Sequence, residues 1–368
     1  MRKLFQQLHR PIGACDLYRT LLPAKFLKPI LKDYGVELVC EFDYTRHPDL
    51  SATIIQRHAV AELLVYLMGR QSRGMRVAID FDDDMLNIPA WSPVCPPEHS
   101  RNEISASRII ADRVFASTAT LAKTLENWSC AKTKRVLVLP NLLDLQAWSG
   151  GLDHSTETDE IRIIWAGSGT HEKDVELLTP VFDVILPKYP HVKLCYFGEC
   201  VPASWLTRWF DRVNHLEWTP LNNYPRQLRY INPHIGLCPL VDEKFNHSKS
   251  AIKASEYTLA GAAVICSPLP PYQIERDPIW EFASTTEQWI EKISMLVEDH
   301  EARRRLHGKA IEVVCKNWTW QNSPYAGLWL AAMLDLMDVK PGEKPQPIEE
   351  KPAGTSGVAD ALKRIKGQ

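Results

Sequence analysis

Short apolar runs alternate along the chain with longer stretches in which apolar and polar positions follow a helical period. The short runs predict buried strands, and the longer stretches predict amphipathic helices. This alternation occurs twice and is typical of parallel α/β layers. The predicted strands are 36–40, 76–79, 113–116 and 135–139 in the first set, and 161–165, 192–197, 215–218, 235–238 and 262–266 in the second. Within the first set, 52–68 and 121–128 predict helices.

A polar stretch separates the two sets. Residues 149–160 contain Gly150-Gly151 and then almost nothing apolar, which is the composition of a linker. A chain of 368 residues also exceeds what one hydrophobic core usually serves. The predicted organisation is an α/β domain over 1–148, a linker over 149–160, an α/β domain over 161–320, a helical segment over 321–339 and a disordered tail over 340–368.

The segment from Phe245 to Pro268 carries the most informative candidate chemistry. It predicts a loop, a helix and a buried strand in succession. Asn246 or Ser248 would cap the start of the helix, and Gly261 would end it. The start of such a helix presents backbone N–H groups and the positive end of the helix dipole to an anion. A phosphorylated ligand is therefore the chemistry that this segment favours.

The charges on the same predicted helix point to the same kind of ligand. Lys249 and Lys253 are four residues apart and would repel each other on one face, so a bound anion would remove the conflict. Glu256 follows about 10 Å from the helix start, within reach of a sugar hydroxyl joined to that anion. A nucleotide or nucleotide sugar is implied. The alternative is a solvated helix face with ordinary ion pairs.

This segment resembles the donor-binding helix of GT-B glycosyltransferases, in particular the retaining enzymes of glycosyltransferase family four. In that family two glutamates with seven residues between them bracket the region. Glu256 matches the second, to which the resemblance assigns the ribose of the nucleotide. Ser248 stands where the family has the first, which contacts the transferred sugar. This departure leaves the sugar open, and it keeps a non-catalytic protein that binds a nucleotide or a partner as an alternative.

Further segments resemble the same family in the family's order along the chain. They are the Gly13–Arg19 loop and helix, the acidic strand end over 76–84, the Pro140-Asn141 exit with Asp144, and the strand and glycine loop over 163–171. The resemblance spans about residues 10 to 320. It implies two Rossmann-like domains facing each other across a cleft, with a C-terminal helix that crosses back to the N-terminal domain.

A run of four carboxylates follows one predicted strand of the first set. Asp80 and Asp82 share one side of that strand, and Asp83 and Asp84 come directly after it. Ligands collect at the carboxyl ends of parallel strands, where an aspartate can orient a hydroxyl or act as a base. Crowding is expected to raise the pKa of such carboxylates. The alternative is a solvated turn with aspartate caps. No metal site is predicted, because the phosphate-binding features lie in the second set.

Composition restricts the remaining function classes. The net charge of −2 argues against a protein that coats nucleic acid or an anionic membrane. Nine cysteines without a Cys-x-x-Cys pair indicate buried thiols in a reducing compartment. No apolar run is long enough to span a bilayer, so a cytoplasmic protein is expected. A nicotinamide dehydrogenase lacks its Gly-x-Gly-x-x-Gly motif here, because Gly167 and Gly169 are followed by Glu172, and the Gly-Lys-Ser/Thr of a P-loop ATPase is also missing.

The resemblance and the residues together predict a glycosyltransferase, retaining and independent of metal, with a nucleotide-diphosphate sugar as donor and no other cofactor. The acceptor is expected to be a glycan, with a modified DNA base as the other possibility, and the oligomeric state is left open. The expected catalytic residues are Asp82, Asp83, His171 and Lys249. The expected donor-binding residues are Gly13, Arg19, Gly167, Ser168, Gly169, Thr170, Ser248, Lys249, Ser250, Lys253 and Glu256.

Overall fold

The computed structural model of the protein describes residues 1–57, 60–92, 95–127, 136–149, 160–199 and 201–340. These residues form two compact units. The first unit contains Met1–Leu143, the short segment His247–Ser250 and residues 320–340, and the second contains Asp144–Asn246 and Ala251–Thr319. Most of the predicted linker and nearly all of the predicted tail, 150–159 and 341–368, lie outside the described residues.

Each unit is built on one parallel sheet flanked by helices. The strands are β1 Arg2–Gln7, β2 Val36–Glu41, β3 Leu50–Gln56, β4 Arg76–Phe81, β5 Arg113–Ala116, β6 Val136–Val138, β7 Ile161–Gly167, β8 Val192–Gly198, β9 Val213–Leu216, β10 Ile235–Cys238, β11 Ala263–Cys266 and β12 Glu281–Phe282. The helices are α1 Ala14–Asp16, α2 Leu22–Asp33, α3 Ala61–Gln71, α4 Glu98–Ile110, α5 Ala119–Glu126, α6 Glu172–Glu176, α7 Thr179–Lys188, α8 Ala203–Arg208, α9 Tyr224–Ile231, α10 Lys244–His247, α11 Ile252–Leu259, α12 Thr286–Glu298, α13 His300–Asn317 and α14 Tyr325–Leu336.

The first unit holds strands β1 to β6 in the spatial order β2-β1-β3-β4-β5-β6. Its central strand β4 is apolar on both faces, with Val77, Ala78 and Ile79 fully buried, as expected for a parallel sheet covered by helices. Helix α14 packs against α2 and β4 of this unit, and the indole N–H of Trp329 donates to the carbonyl of Pro140 at 2.9 Å. The expected return of the C-terminal helix to the N-terminal domain is therefore confirmed.

The prediction of a single helix over 52–68 is wrong. This stretch contains β3 and, after a break, the first part of α3. Thr53, Ile54 and Ile55 are β-branched and buried, so they fill the centre of a sheet better than a helix face. The chain turns at Arg57, whose φ of 64° lies in the left-handed region. Strand β1, in which Leu4 and Phe5 are fully buried, was not predicted, because polar residues flank that apolar pair on both sides.

The second unit holds strands β7 to β12 in the order β12-β11-β10-β7-β8-β9. This is the strand order of dinucleotide-binding Rossmann domains. Successive strands are added on one side of β7 up to β9 and then on its other side from β10, so the strand order reverses between β7 and β10. Helix α7 and strands β7, β8 and β10 enclose a core that includes Trp165, Phe182 and Trp205. The predicted α/β class with two Rossmann-like domains is confirmed. Strand β12 at the edge of this sheet was not predicted.

Candidate functional site

The loop after β7 lies where the second sheet reverses its strand order, a position at which α/β proteins commonly bind ligands. Gly167 ends β7, and a Cβ atom on it would lie 2.2 Å from the indole ring of Trp165. Gly198 ends the neighbouring strand with a φ of +108°, and its Cβ would lie 2.5 Å from the carbonyl oxygen of Gly167. Glycine is therefore required at both positions, because the Trp165 ring and the Gly167 carbonyl occupy the space that a side chain would need.

The residues after Gly167 form a compact polar turn. The hydroxyls of Ser168 and Thr170 form a hydrogen bond at 2.9 Å. Gly169–His171 form a 3₁₀ turn in which the His171 N–H donates to the Ser168 carbonyl at 3.1 Å. The imidazole Nδ1 of His171 lies 2.7 Å from a carboxylate oxygen of Asp174. Asp174 is 1% exposed and accepts two further hydrogen bonds, from the Val241 N–H at 2.8 Å and the Asn246 amide at 3.0 Å.

Helix α11 supplies Lys253 and Glu256 to the second unit. The ammonium of Lys253 lies 4.6 Å from the ring centre of Trp165, and the His171 ring lies 6.1 Å from the same indole. Two side chains able to carry positive charge therefore flank one aromatic ring at the end of β7. Glu256 is 6% exposed and accepts a hydrogen bond from the Tyr224 hydroxyl at 3.3 Å.

Tyr257, next to Glu256, fastens α11 to the strand that carries the glycine loop. Its hydroxyl accepts from the Ala166 N–H at 2.5 Å and donates to the Ala166 carbonyl at 3.4 Å. Its ring lies against Gly236 on β10, where a Cβ would come within 2.7 Å of the ring. Burial raises the pKa of this phenol well above its usual value, so it stays protonated and keeps its donor.

The helix start was predicted too early. Helix α11 begins at Ile252 with Ala251 as its N-cap and no side-chain cap, whereas Asn246 belongs to the separate short helix α10. Lys249 therefore precedes α11 and does not share a helical face with Lys253, which removes the expected repulsion between them. Gly261 ends the helix as predicted: its φ is 101°, and its N–H donates a hydrogen bond to the Thr258 carbonyl.

Residues Ser248, Lys249 and Ser250 lie in the first unit. The Ser248 carbonyl accepts from the Thr118 hydroxyl at 2.9 Å, and the Ser250 hydroxyl accepts from the Asn141 amide at 3.1 Å. Lys249 lies close enough to Asp83 to influence the titration of its carboxyl group. These predicted donor-binding residues are thus grouped with the predicted acidic residues of the first unit, and their roles remain predictions.

The acidic end of the first sheet, defined by Cys15, Arg57, Asp82 and Asp83, follows strands β1, β3 and β4. The guanidinium of Arg57 holds the Asp82 carboxylate, with Nε 3.1 Å from Oδ1, and donates to the Cys15 sulfur at 2.8 Å. The Cys15 thiol also donates to Asp82. Burial alone would raise the pKa of Asp82, but the charge and hydrogen bonds of Arg57 outweigh it and lower that pKa to about 2.

Asp83 and Asp84 have different surroundings. Burial raises the pKa of Asp83, with Lys249 opposing and Asp82 adding to the shift. Asp84 accepts from the backbone N–H and side-chain amide of Asn87, so it caps a turn as in the alternative above, but it is buried rather than solvated. The expectation that crowding raises these pKa values thus holds for Asp83 and is wrong for Asp82. As a candidate base, Asp83 fits better than Asp82.

Arg19 and Gly13, both predicted to bind the donor, instead bond to aspartates within the first unit. The Arg19 guanidinium is 1% exposed and forms a two-point ion pair with Asp80, Nε to Oδ2 at 2.9 Å and Nη2 to Oδ1 at 2.5 Å. It also lies 4.6 Å from the ring centre of Trp329. Gly13 donates its N–H to Asp16 at 2.9 Å at the start of α1. We therefore leave both residues out of the donor site proposed below.

Sequence reasoning missed the contacts of Asp174, Asn246, Arg57 and Tyr257. Each side chain meets a partner far away in sequence, so no local spacing pointed to the pair. Among the described residues, no group of three or more His, Cys, Asp or Glu side chains is arranged to hold a metal ion, and no helix is long and apolar enough to cross a membrane.

Comparison with solved structures gives the class of fold. HepE of Anabaena in complex with UDP and glucose is similar to this chain, with 12% identity and a TM-score of 0.64. The alignment covers 92% of this chain and 99% of HepE. Sucrose-phosphate synthase of Thermosynechococcus elongatus is similar over 92% of this chain and 98% of its own, with 12% identity and a TM-score of 0.68. An alpha-glucosyltransferase in complex with UDP and a 13-mer DNA containing a HMU base is similar over 92% and 99%, with 13% identity and a TM-score of 0.59.

These structures are GT-B glycosyltransferases, and the chain has the GT-B fold. No protein-family model and no curated protein sequence matches the chain. The likeness therefore rests on structure, and at 12 to 13% identity it defines the fold rather than the reaction.

Proposed function

We propose that the protein is a glycosyltransferase that binds a nucleotide-diphosphate sugar in its second unit and transfers the sugar to an acceptor hydroxyl. The observation that carries the proposal is the glycine-lined loop at the reversal point of the second sheet. There Gly167 and Gly198 leave no room for a side chain, and Lys253 and His171 lie beside the ring of Trp165. Backbone N–H groups and cations in such a loop suit a diphosphate.

Glu256 is the proposed anchor of the ribose. It is buried on α11, where Tyr257 fixes the same helix to Ala166 of β7. A buried carboxylate that meets two ribose hydroxyls would give charge-assisted hydrogen bonds to the nucleotide. Tyr224, which donates to Glu256 at 3.3 Å, would orient the carboxylate.

The first unit is proposed to handle the acceptor. Asp83 has a raised pKa and lies within electrostatic range of Lys249, so it is the carboxylate suited to accept a proton from an acceptor hydroxyl. Asp82 is held as an anion by Arg57 and suits a positioning role instead. We further propose that transfer is retaining and needs no metal ion, and that the acceptor is a glycan.

The test begins with the purified protein and a panel of uridine, guanosine, adenosine and cytidine diphosphate sugars, with and without EDTA. Uridine donors come first, because HepE and the alpha-glucosyltransferase are named in complexes with UDP. We expect one nucleotide class to be released on turnover and to raise the melting temperature, in both cases unchanged by EDTA. Failure of every donor would favour the alternative of a non-catalytic protein.

Variants connect that result to the site. Glu256→Gln should weaken donor binding about 10- to 100-fold, because a charged hydrogen bond contributes roughly 1.5–3 kcal/mol. Glu291→Gln is the matched control, since Glu291 is exposed on α12 of the same unit. Equal affinities of wild type and Glu256→Gln would place the ribose elsewhere. Acceptors are then tested with glycans and with DNA carrying a modified base in parallel, and transfer to DNA alone would replace the glycan assignment.

A further inference from the structure

Asp174 joins the two loops that meet at the reversal point of the second sheet. One carboxylate oxygen accepts from His171 in the loop after β7. The other accepts from the Val241 N–H and the Asn246 amide in the connection after β10. Asn246 is itself 2% exposed and also donates to the Val241 carbonyl at 3.0 Å. A buried carboxylate needs such donors, so this network is a built feature rather than a surface ion pair.

We propose that Asp174 is a positioning residue that holds His171 as a cationic ligand for the donor diphosphate; the inference rests on the function proposed above. The bond to Asp174 makes Nδ1 the proton donor within the protein. Nε2 is then the ring atom that can meet a ligand. When the ring is protonated, Nε2–H donates a charge-assisted hydrogen bond to a phosphate oxygen, and Asp174 balances the positive charge.

The sequence of the loop supports this role. Between Gly167 and His171 the chain reads Gly-Ser-Gly-Thr-His, so His171 is the residue of this loop whose side chain can carry a positive charge. Lys253 lies against the same indole from α11. A diphosphate carries two negative charges, and Lys253 with a protonated His171 would balance both.

Several other charged groups lie around this pair. Glu172 and Lys173 are exposed neighbours on α6, and Glu199 after β8 lies within 3.8 Å of where a Cβ of Gly169 would be. Tyr272 lies near enough to Asp174 for that carboxylate to help raise its pKa, after burial and the nearby Cys238 and Cys266. Asp242 and Glu243 follow Val241 in the chain. Of these groups, Asp174 is the one seen here hydrogen-bonded to Nδ1.

The inference predicts that donor affinity falls as the pH rises through the range in which an imidazole loses its proton. The probe is the glucose ester of the nucleoside diphosphate that the wild-type protein binds in the panel. Its diphosphate is esterified at both ends, so its own charge stays constant over pH 5.5 to 8.5, unlike that of a free nucleoside diphosphate. Dissociation constants are measured across this range by calorimetry for the wild type and for His171→Gln, Asp174→Asn and His191→Gln.

We expect wild type and His191→Gln, a control at an exposed histidine before β8, to bind about 10- to 100-fold more tightly at pH 5.5 than at 8.5. His171→Gln should bind at the weak, high-pH level throughout, and Asp174→Asn should lose most of the pH dependence. Melting temperatures identify any variant that fails to fold: His171→Asn then replaces His171→Gln, and Asp174→Ser replaces Asp174→Asn.

The two proposals fail in different ways. A wild-type protein that binds no nucleotide sugar overturns the proposed function and this inference with it. A wild-type protein that binds its donor with a flat pH profile overturns the inference alone. The same holds if Asp174→Asn folds and keeps the wild-type profile.

Discussion

The two sheets place different chemistry at the same topological position. In the second unit β7 ends at the reversal point in Gly167, the neighbouring β8 ends in Gly198, and the nearby Asp174 bonds to His171. In the first unit the reversal lies between β1 and β3, and the loops that follow these strands and β4 carry Cys15, Arg57 and Asp82 bonded to one another. The second unit thus presents glycine backbone beside Lys253 and His171, whereas in the first unit Arg57 is paired with Asp82.

This difference between the two sheets shows where a charged ligand can be bound without a large loss of free energy from broken ion pairs. A cation that is paired with a buried carboxylate must lose that partner, or share it, before it can serve a phosphate. Arg57 and Arg19 are both committed in this way, to Asp82 and Asp80. His171 is also paired with a buried carboxylate, Asp174, but through Nδ1, and an imidazole has a second ring nitrogen with which it can share that partner. This difference supports the proposal that the first unit takes a neutral hydroxyl and the second a diphosphate. Three experiments can break or sharpen this contrast.

The largest effect is expected at the buried ion pair of the first unit. Arg19→Met should lower the free energy of unfolding by about 3–5 kcal/mol, because it leaves the fully buried Asp80 carboxylate without its partner. Urea unfolding followed by circular dichroism measures the change. The double variant Arg19→Met, Asp80→Leu should recover much of the loss. An Arg19→Met protein with wild-type stability but weakened donor binding would restore Arg19 to the donor site.

A smaller effect is expected at the glycines of the second unit. Gly167→Ala should destabilise the protein by up to about 3 kcal/mol and weaken donor binding, since its Cβ would overlap the ring of Trp165, which stacks on Tyr196 at 4.8 Å. Gly169→Ala is the matched control in the same loop. Its Cβ would meet its nearest neighbour, a Glu199 carboxylate oxygen, at an ordinary 3.8 Å. Equal stability of the two variants would show that the Trp165 ring does not restrict position 167.

The smallest effect separates the two neighbouring aspartates by pH. Folding lowers the pKa of Asp82 from 3.8 to about 2, so its pairing with Arg57 contributes about 2 kcal/mol above pH 4, and this is lost as the pH falls towards 2. Folding raises the pKa of Asp83, so its ionised form disfavours the folded state above that pKa. Asp82→Asn should therefore destabilise at neutral pH and less at pH 3, whereas Asp83→Asn should be neutral or slightly stabilising at neutral pH. Urea titrations at both pH values test this, and a loss of equal size in both variants would contradict it.

The sequence predicted the features that depend on local patterns. Buried strands such as β7 and β11 were recognised because apolar runs end at Gly or Pro, and the C-terminal helix because its apolar residues continue over three turns. The segment containing β3 was read as a helix, since Ala52 to Ile55 and the apolar residues of α3 are separated by the short polar run Gln56-Arg57-His58 alone before the apolar pattern resumes. Arg57 breaks that stretch with a left-handed backbone that no spacing rule would assign to arginine.

The candidate site was predicted less completely, for a related reason. The glycine loop was found because its glycines follow a predicted strand, and Glu256 because of its place on the predicted helix and its match to the second glutamate of glycosyltransferase family four. The roles of Asp174 and Arg19 depend on partners more than sixty residues away, at Asn246 and Asp80. Such pairs exist only after the sheet has brought its loops together, so one sequence without its fold does not reveal them.

The fit between Tyr257 and Gly236 has an evolutionary consequence. The tyrosine ring occupies the volume that any side chain at position 236 would need, and its hydroxyl satisfies both backbone groups of Ala166. Neither residue can change alone without a clash or a lost hydrogen bond. In a family of related sequences the two positions should therefore covary, with tyrosine at 257 restricted to lineages that keep glycine at 236.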